Sequence, residues 1–93
     1  EMETARLVRQ KTTEAVKQVL IRQLNLELES YQIDQDAPLF GMGLGLDSVD
    51  ALEVVVGLEQ EFNIFLGEEA KSILKSVNSI ADFLILHTGG THA

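Results

Sequence analysis

No helix can run unbroken through residues 25–47, because Pro38 lacks a backbone N–H and Gly41, Gly43 and Gly45 follow it within a few positions. On either side of that stretch, apolar residues recur at three- and four-residue spacing, and no segment alternates as a strand would. The chain therefore reads as helices joined by one long loop. Residues 4–24 place Leu7, Val8, Ala15, Val16, Val19, Leu20 and Leu24 near one face. Thr12 and Thr13 are either surface positions within one long helix, the reading preferred here, or a fresh start. Residues 1–11 are accordingly an N-terminal extension that either hangs loose or continues the first helix. In the loop, Leu39, Phe40, Met42, Leu44 and Leu46 are too apolar for a solvated linker and are expected to pin it onto the core.

The second helix should open at Asp47 and Ser48 and end near Phe62 or Asn63, with Val54, Val55, Leu58 and Phe62 inward. Leu52 and Val56 widen its apolar arc beyond one face, as in a helix that lines an interior as well as packing on it. A short third helix is expected over residues 68–75, with Glu68 and Glu69 at its positive end and Lys75 at its close. Ser76 then offers a cap for a last helix over residues 77–87, which buries Ile80, Phe83, Leu84 and Leu86 and is stopped by Gly89 and Gly90. The fold class is all-α, a bundle of three main helices plus a short one. Residues 12–88 form the domain and 89–93 a tail.

Ninety-three residues suit a single domain that buries roughly 60% of its unfolded surface and leaves little room for an internal catalytic cleft. Cysteine is absent, so thiolate chemistry, disulfides and Cys-based metal sites are excluded. No apolar run approaches the roughly 20 residues of a membrane span. The N-terminus lacks the apolar core of a signal peptide, and a cytoplasmic setting is expected, with a cleaved organellar targeting segment as the alternative. The net charge is −8. It is unevenly spread: residues 1–24 hold five cations against three carboxylates, giving +2 and leaving −10 for the rest. Such acidity disfavours nucleic acid and anionic lipid and favours basic partners.

The informative stretch is Leu44-Gly45-Leu46-Asp47-Ser48-Val49-Asp50-Ala51-Leu52-Glu53, an apolar loop delivering Asp-Ser to a helix start. A serine in a first turn is exposed beside free N–H groups and would set a phosphodiester at the positive end of the helix dipole. Asp47 is a good cap that would fix how the loop meets the helix. Taken alone, the dipeptide is what many helices begin with. In its setting the chain resembles the acyl carrier protein family, whose attachment site is an Asp-Ser-Leu-like tripeptide opening its second helix. Here Asp47-Ser48-Val49 holds that place. The resemblance covers about residues 12–87, including Leu39-Phe40, Leu58-Glu59-Gln60-Glu61-Phe62 and Glu68-Glu69-Ala70.

What the resemblance implies is a carrier rather than an enzyme, with the family's bundle and its long loop between the first and second helices. A phosphopantetheinyl transferase, using magnesium and coenzyme A, would join 4′-phosphopantetheine to Ser48. The arm's thiol would carry acyl groups as thioesters among acyl-transferring and ketosynthase-type enzymes. Basic patches on those enzymes would meet Asp47, Val49, Asp50, Glu53, Val56, Gly57 and Gln60. Acyl chains would fold back among Leu52, Val55, Phe62 and Leu84. Electrostatics of this kind chiefly speeds encounter, so weak, salt-sensitive complexes of a monomer are expected.

Other readings are weaker. A serine hydrolase with His87 or His92 as base lacks the Gly-x-Ser-x-Gly elbow. Gly41-x-Gly43-x-Gly45 has neither the spacing nor the lysine of a phosphate-binding loop, and Asp34-x-Asp36 is followed by Pro38 where a calcium ligand belongs. A peptidyl or aminoacyl carrier and an unmodified helical interaction module remain as alternatives. Gly57 within the second helix, Phe65-Leu66-Gly67 without the proline common at that point in the family, and the basic extension point to a specialised fatty-acid or polyketide pathway.

Overall fold

The computed structural model describes residues 2–40 and 46–88. Among these, the order is α1 (Met2–Leu24), a single 3₁₀ turn (Ser30–Gln32), α2 (Ser48–Phe62), α3 (Ala70–Ile73) and α4 (Val77–Thr88). The expected all-α bundle with one long connection is present, and α1 is a single helix. Thr12 and Thr13 neither restart it nor face solvent. Both are buried, which costs little because Thr12 donates to the Val8 carbonyl at 2.7 Å and Thr13 to that of Gln10 at 3.1 Å. Leu7, expected inside, is about half exposed on the turns that precede the packed face.

The core gathers Val16, Val19 and Leu20 of α1, Val54 and Leu58 of α2, and Val77, Ile80 and Leu84 of α4. Leu39 and Leu46 close it from the long connection, as their apolar character predicted, with Phe40 half-buried beside them. Met42, Leu44 and the three loop glycines lie outside the described residues, as do Gly89, Gly90 and His92. Leu86 was expected inside but faces solvent, because Ile80, Ala81 and Leu84 already fill the inward arc of α4. Asn25 and Asn63 stand in the left-handed conformation after α1 and α2. In each case the following N–H bonds the carbonyl five residues back, from Leu26 to Ile21 and from Ile64 to Glu59.

Two polar clusters fix how the elements meet. Arg9 reaches from α1 to the start of α4, donating to Asn78 Oδ1 at 2.9 Å and pairing with Asp82 at 2.8 Å. Asn78 donates in turn to Asp36 and, through its backbone, to the Gln35 carbonyl. The Asp34-x-Asp36 turn is thus tied to α4, and Asp34 accepts from the Asp36 N–H. At the far end of α2, Glu59 accepts the Leu66 N–H at 2.9 Å. That bond needs a residue with an N–H at 66, a position proline could not fill.

The third helix is shorter than expected, four residues instead of eight. Glu68 and Glu69 fall before it, since Ala70, Lys71 and Ser72 donate to carbonyls only three residues back and the chain is still turning there. Ser76 caps α4 as expected, accepting from Ser79 N at 3.1 Å.

Candidate functional site

At the start of α2, Asp47 is extended and its Oδ1 accepts from Asp50 N at 3.0 Å. Asp50 Oδ2 accepts from Asp47 N at 3.1 Å, so the two residues cap each other. The box leaves the serine hydroxyl unused, and Ser48, held between its two members, is the first helical residue with its side chain exposed. The N–H groups of Ser48 and Val49 have no acceptor within the helix, which leaves their partial positive charge turned toward the site. Replacing Asp47 by alanine should therefore cost about 1 kcal/mol. A thermal melt would show this as a drop of roughly 4–8 °C for a domain of this size. Asp50→Ala in the Asp47→Ala background should cost much less than on its own, because the box is already broken.

A groove of about 990 Å³ opens beside Ser48 between α2 and the α3 region. Phe40, Ala51, Val55, Leu66 and Leu74, all buried or half-buried, form its floor. Ser48, Val49, Leu52, Lys71 and Lys75 stand exposed along its rim. Of the residues expected to hold an acyl chain, Leu52 and Val55 line this groove. Phe62 and Leu84 do not, and Leu84 is wholly buried in the core that α1 shares with α4. Lys71, Leu74 and Lys75 were missed. The signal available for them was an i, i+4 lysine pair flanking a leucine next to an unusually wide apolar arc.

The residues expected to meet partners divide in two. Asp47, Val49, Glu53, Val56 and Gln60 are exposed along α2, and Asp50 is partly so. Gly57 is buried and does not belong with them. It faces α1, where Val19 and the Gln23 side chain cross it, and Gln23 Nε2 donates to the Glu53 carbonyl at 3.0 Å. Rising positions on α1 thus meet falling ones on α2, which makes the pair antiparallel. Among the described residues the Ser48 hydroxyl meets no hydrogen-bond partner, and no group of three or more His, Asp or Glu could hold a metal ion.

The phosphopantetheine attachment site family matches residues 14–84, which include the capped serine, both walls of the groove and most of the core. The chain belongs to the acyl carrier protein family. Its prosthetic group is a covalently attached 4′-phosphopantetheine. The donor set fits such a group: an exposed hydroxyl, unpaired first-turn N–H groups for a phosphate, and an apolar groove alongside. Relatives include a chloroplastic acyl carrier protein of Brassica napus, 33% identical over 82% of this chain and 54% of its own length. Acyl carrier protein 5, chloroplastic, of Arabidopsis thaliana is 32% identical over 83% and 53%. An acyl carrier protein of Clostridium acetobutylicum is 29% identical over 81% and 94%. The chain thus spans about half the length of the two plant relatives. Residues 2–13 of this chain precede the family match, yet they belong to α1, and Arg9 ties them to α4. No described helix is long and apolar enough to cross a membrane.

Proposed function

We propose that Ser48 bears the 4′-phosphopantetheine arm and that the chain shuttles acyl groups between enzymes of a specialised fatty-acid or polyketide-type pathway, without catalysis of its own. The observation that carries this is the placement of Ser48: first residue of α2, exposed, its hydroxyl unused by the capping box around it, and on the rim of an apolar groove. When bound, the arm supplies the thiol that the chain itself lacks, and that thiol holds acyl groups as thioesters. Ser48 is the anchor. On attachment the Ser48 oxygen bonds to the pantetheine phosphorus as the pyrophosphate bond of coenzyme A breaks, adenosine 3′,5′-bisphosphate leaves, and the serine proton passes to the phosphopantetheinyl transferase. Asp47 and Asp50 keep the helix start rigid. Leu52 and Val55 offer apolar cover for a chain folded back from the arm. A free thiol favours a reducing compartment such as the cytoplasm.

Partner enzymes meet the exposed side of α2. Val49, Leu52 and Val56 supply apolar contact there, while Asp47, Glu53 and the partly exposed Asp50 face basic patches. The test is intact mass and thiol titration after incubation with coenzyme A, magnesium and a broad-specificity phosphopantetheinyl transferase. One arm's mass and one new thiol per chain are expected, and since the chain has no cysteine the thiol reports the arm alone. An unchanged mass, under conditions that load a known carrier, would replace this reading with that of an unmodified interaction module. Efficient support of ordinary fatty-acid elongation in a reconstituted system would count against the specialised pathway.

A further inference from the structure

Lys71 and Lys75 are the only lysines in residues 46–88, a stretch with no arginine and eight carboxylates, and both line the groove that Ser48 opens into. Neither forms an ion pair among the described residues, although Glu68 lines the same groove three positions before Lys71. Backbone bonds bring this side of the groove to the head of α2. Leu39 N donates to the Lys75 carbonyl at 2.9 Å, Leu46 N donates to the Leu39 carbonyl at 3.1 Å, and Leu46 is two residues from Ser48. An anion on Ser48 thus has Asp47 and Asp50 on its α2 side and two unpaired ammonium groups across the groove.

We propose that Lys71 and Lys75 receive the phosphodiester of the arm and lean it along the apolar groove instead of out into solvent, a positioning role that rests on Ser48 bearing the arm. The apolar floor alone would attract the pantetheine without preference for charge. The lysines make that attraction electrostatic at its root, so it should weaken with salt, as exposed charge pairs do. Lysine stems can cover apolar surface, and both residues line a largely apolar groove, so replacements must keep the stem. Glutamine keeps most of it and removes the charge.

The experiment compares the arm-loaded protein with arm-loaded Lys71→Gln/Lys75→Gln and Lys71→Arg/Lys75→Arg, each confirmed by intact mass and by an unchanged thermal melt. The rate at which the arm's thiol reacts with a neutral maleimide is measured at low and high salt. In low salt the Gln pair should react roughly two- to fivefold faster than the parent, the scale of exposed ion pairs. The Arg pair should match the parent, and the difference should close at high salt. Amide resonances of residues 71 and 75 should shift when the parent is loaded. Equal rates for parent and Gln pair at low salt, with the arm attached, would overturn the proposal and leave the carrier reading standing. Failure of all three proteins to accept the arm would overturn both.

Discussion

Ser48→Ala should abolish arm attachment outright while moving the melting temperature by no more than about 4 °C. The separation follows from the capping box. Asp47 and Asp50 satisfy each other and start α2 between them, so the serine hydroxyl contributes no bond to the fold. Surface substitutions away from such features usually stay within about 0.5 kcal/mol, or roughly 2–4 °C for a domain of this size. Alanine is also the better helix former at the position. Incubation with transferase and coenzyme A should therefore leave the variant at its unmodified mass, with no thiol, beside a parent that gains both. A Ser48→Ala protein that still accepted the arm would move the attachment site elsewhere. One that failed to fold would show that the hydroxyl does structural work not visible among its contacts.

Gly57→Ala should destabilise the protein, against the ordinary expectation for a glycine inside a helix. Exposed, the change would gain roughly 1 kcal/mol from helix propensity. Here a methyl group built on Gly57 would lie 2.5 Å from Gln23 Cγ and 2.8 Å from Val19 Cγ1, closer than carbon atoms tolerate. Gln23 can swing aside, but only by giving up its bond to the Glu53 carbonyl. Val19 is wholly buried and branched at Cβ, so it has little room to turn. Overpacking of this kind costs about 1–3 kcal/mol, and the loss of the Gln23 bond adds about 1 more. Set against the propensity gain, the net expectation is a loss of about 1–3 kcal/mol, seen as a melting temperature lower by roughly 4–24 °C. Val19→Ala, which opens a cavity in the parent, should cost less in the Gly57→Ala protein because it makes room for the new methyl. A stabilised Gly57→Ala protein would mean that α1 can move away from α2 at Gly57 without loss of packing.

What could be read from the sequence was what is decided locally. Asp47 before Ser48, Asn63 after Phe62 and Ser76 before Val77 set helix ends through bonds reaching three to five residues, and each stands where its chemistry placed it. The apolar loop residues Leu39 and Leu46 were legible for the same reason: so much apolar surface has nowhere else to go. What depended on a distant element was not legible. Gly57 looks like any helix glycine until Val19 and Gln23 arrive across it. Phe62 and Leu84 lie on inward arcs, as read, but an inward arc does not say whether it faces a closed core or a groove. The lysines of the groove could not be weighed until the backbone bonds from residue 75 to residue 39 and on to residue 46 brought them beside the serine.

The wall that α3 gives the groove is a single turn. One turn gains nothing from propagation, the step that makes long helices hold together, so its order is borrowed from Ala70, Ile73 and Leu74 lying on the core. The stability of this molecule is therefore uneven. The three long helices supply most of the shared core, so the stretch from Gly67 to Lys75 is expected to open first, as a sub-global unit, which native-state hydrogen exchange would show. If cargo on the proposed arm lies in this groove, a chain too large for it would be accommodated at the cost of that partial melting, and the size limit would be a free energy and not a fixed volume.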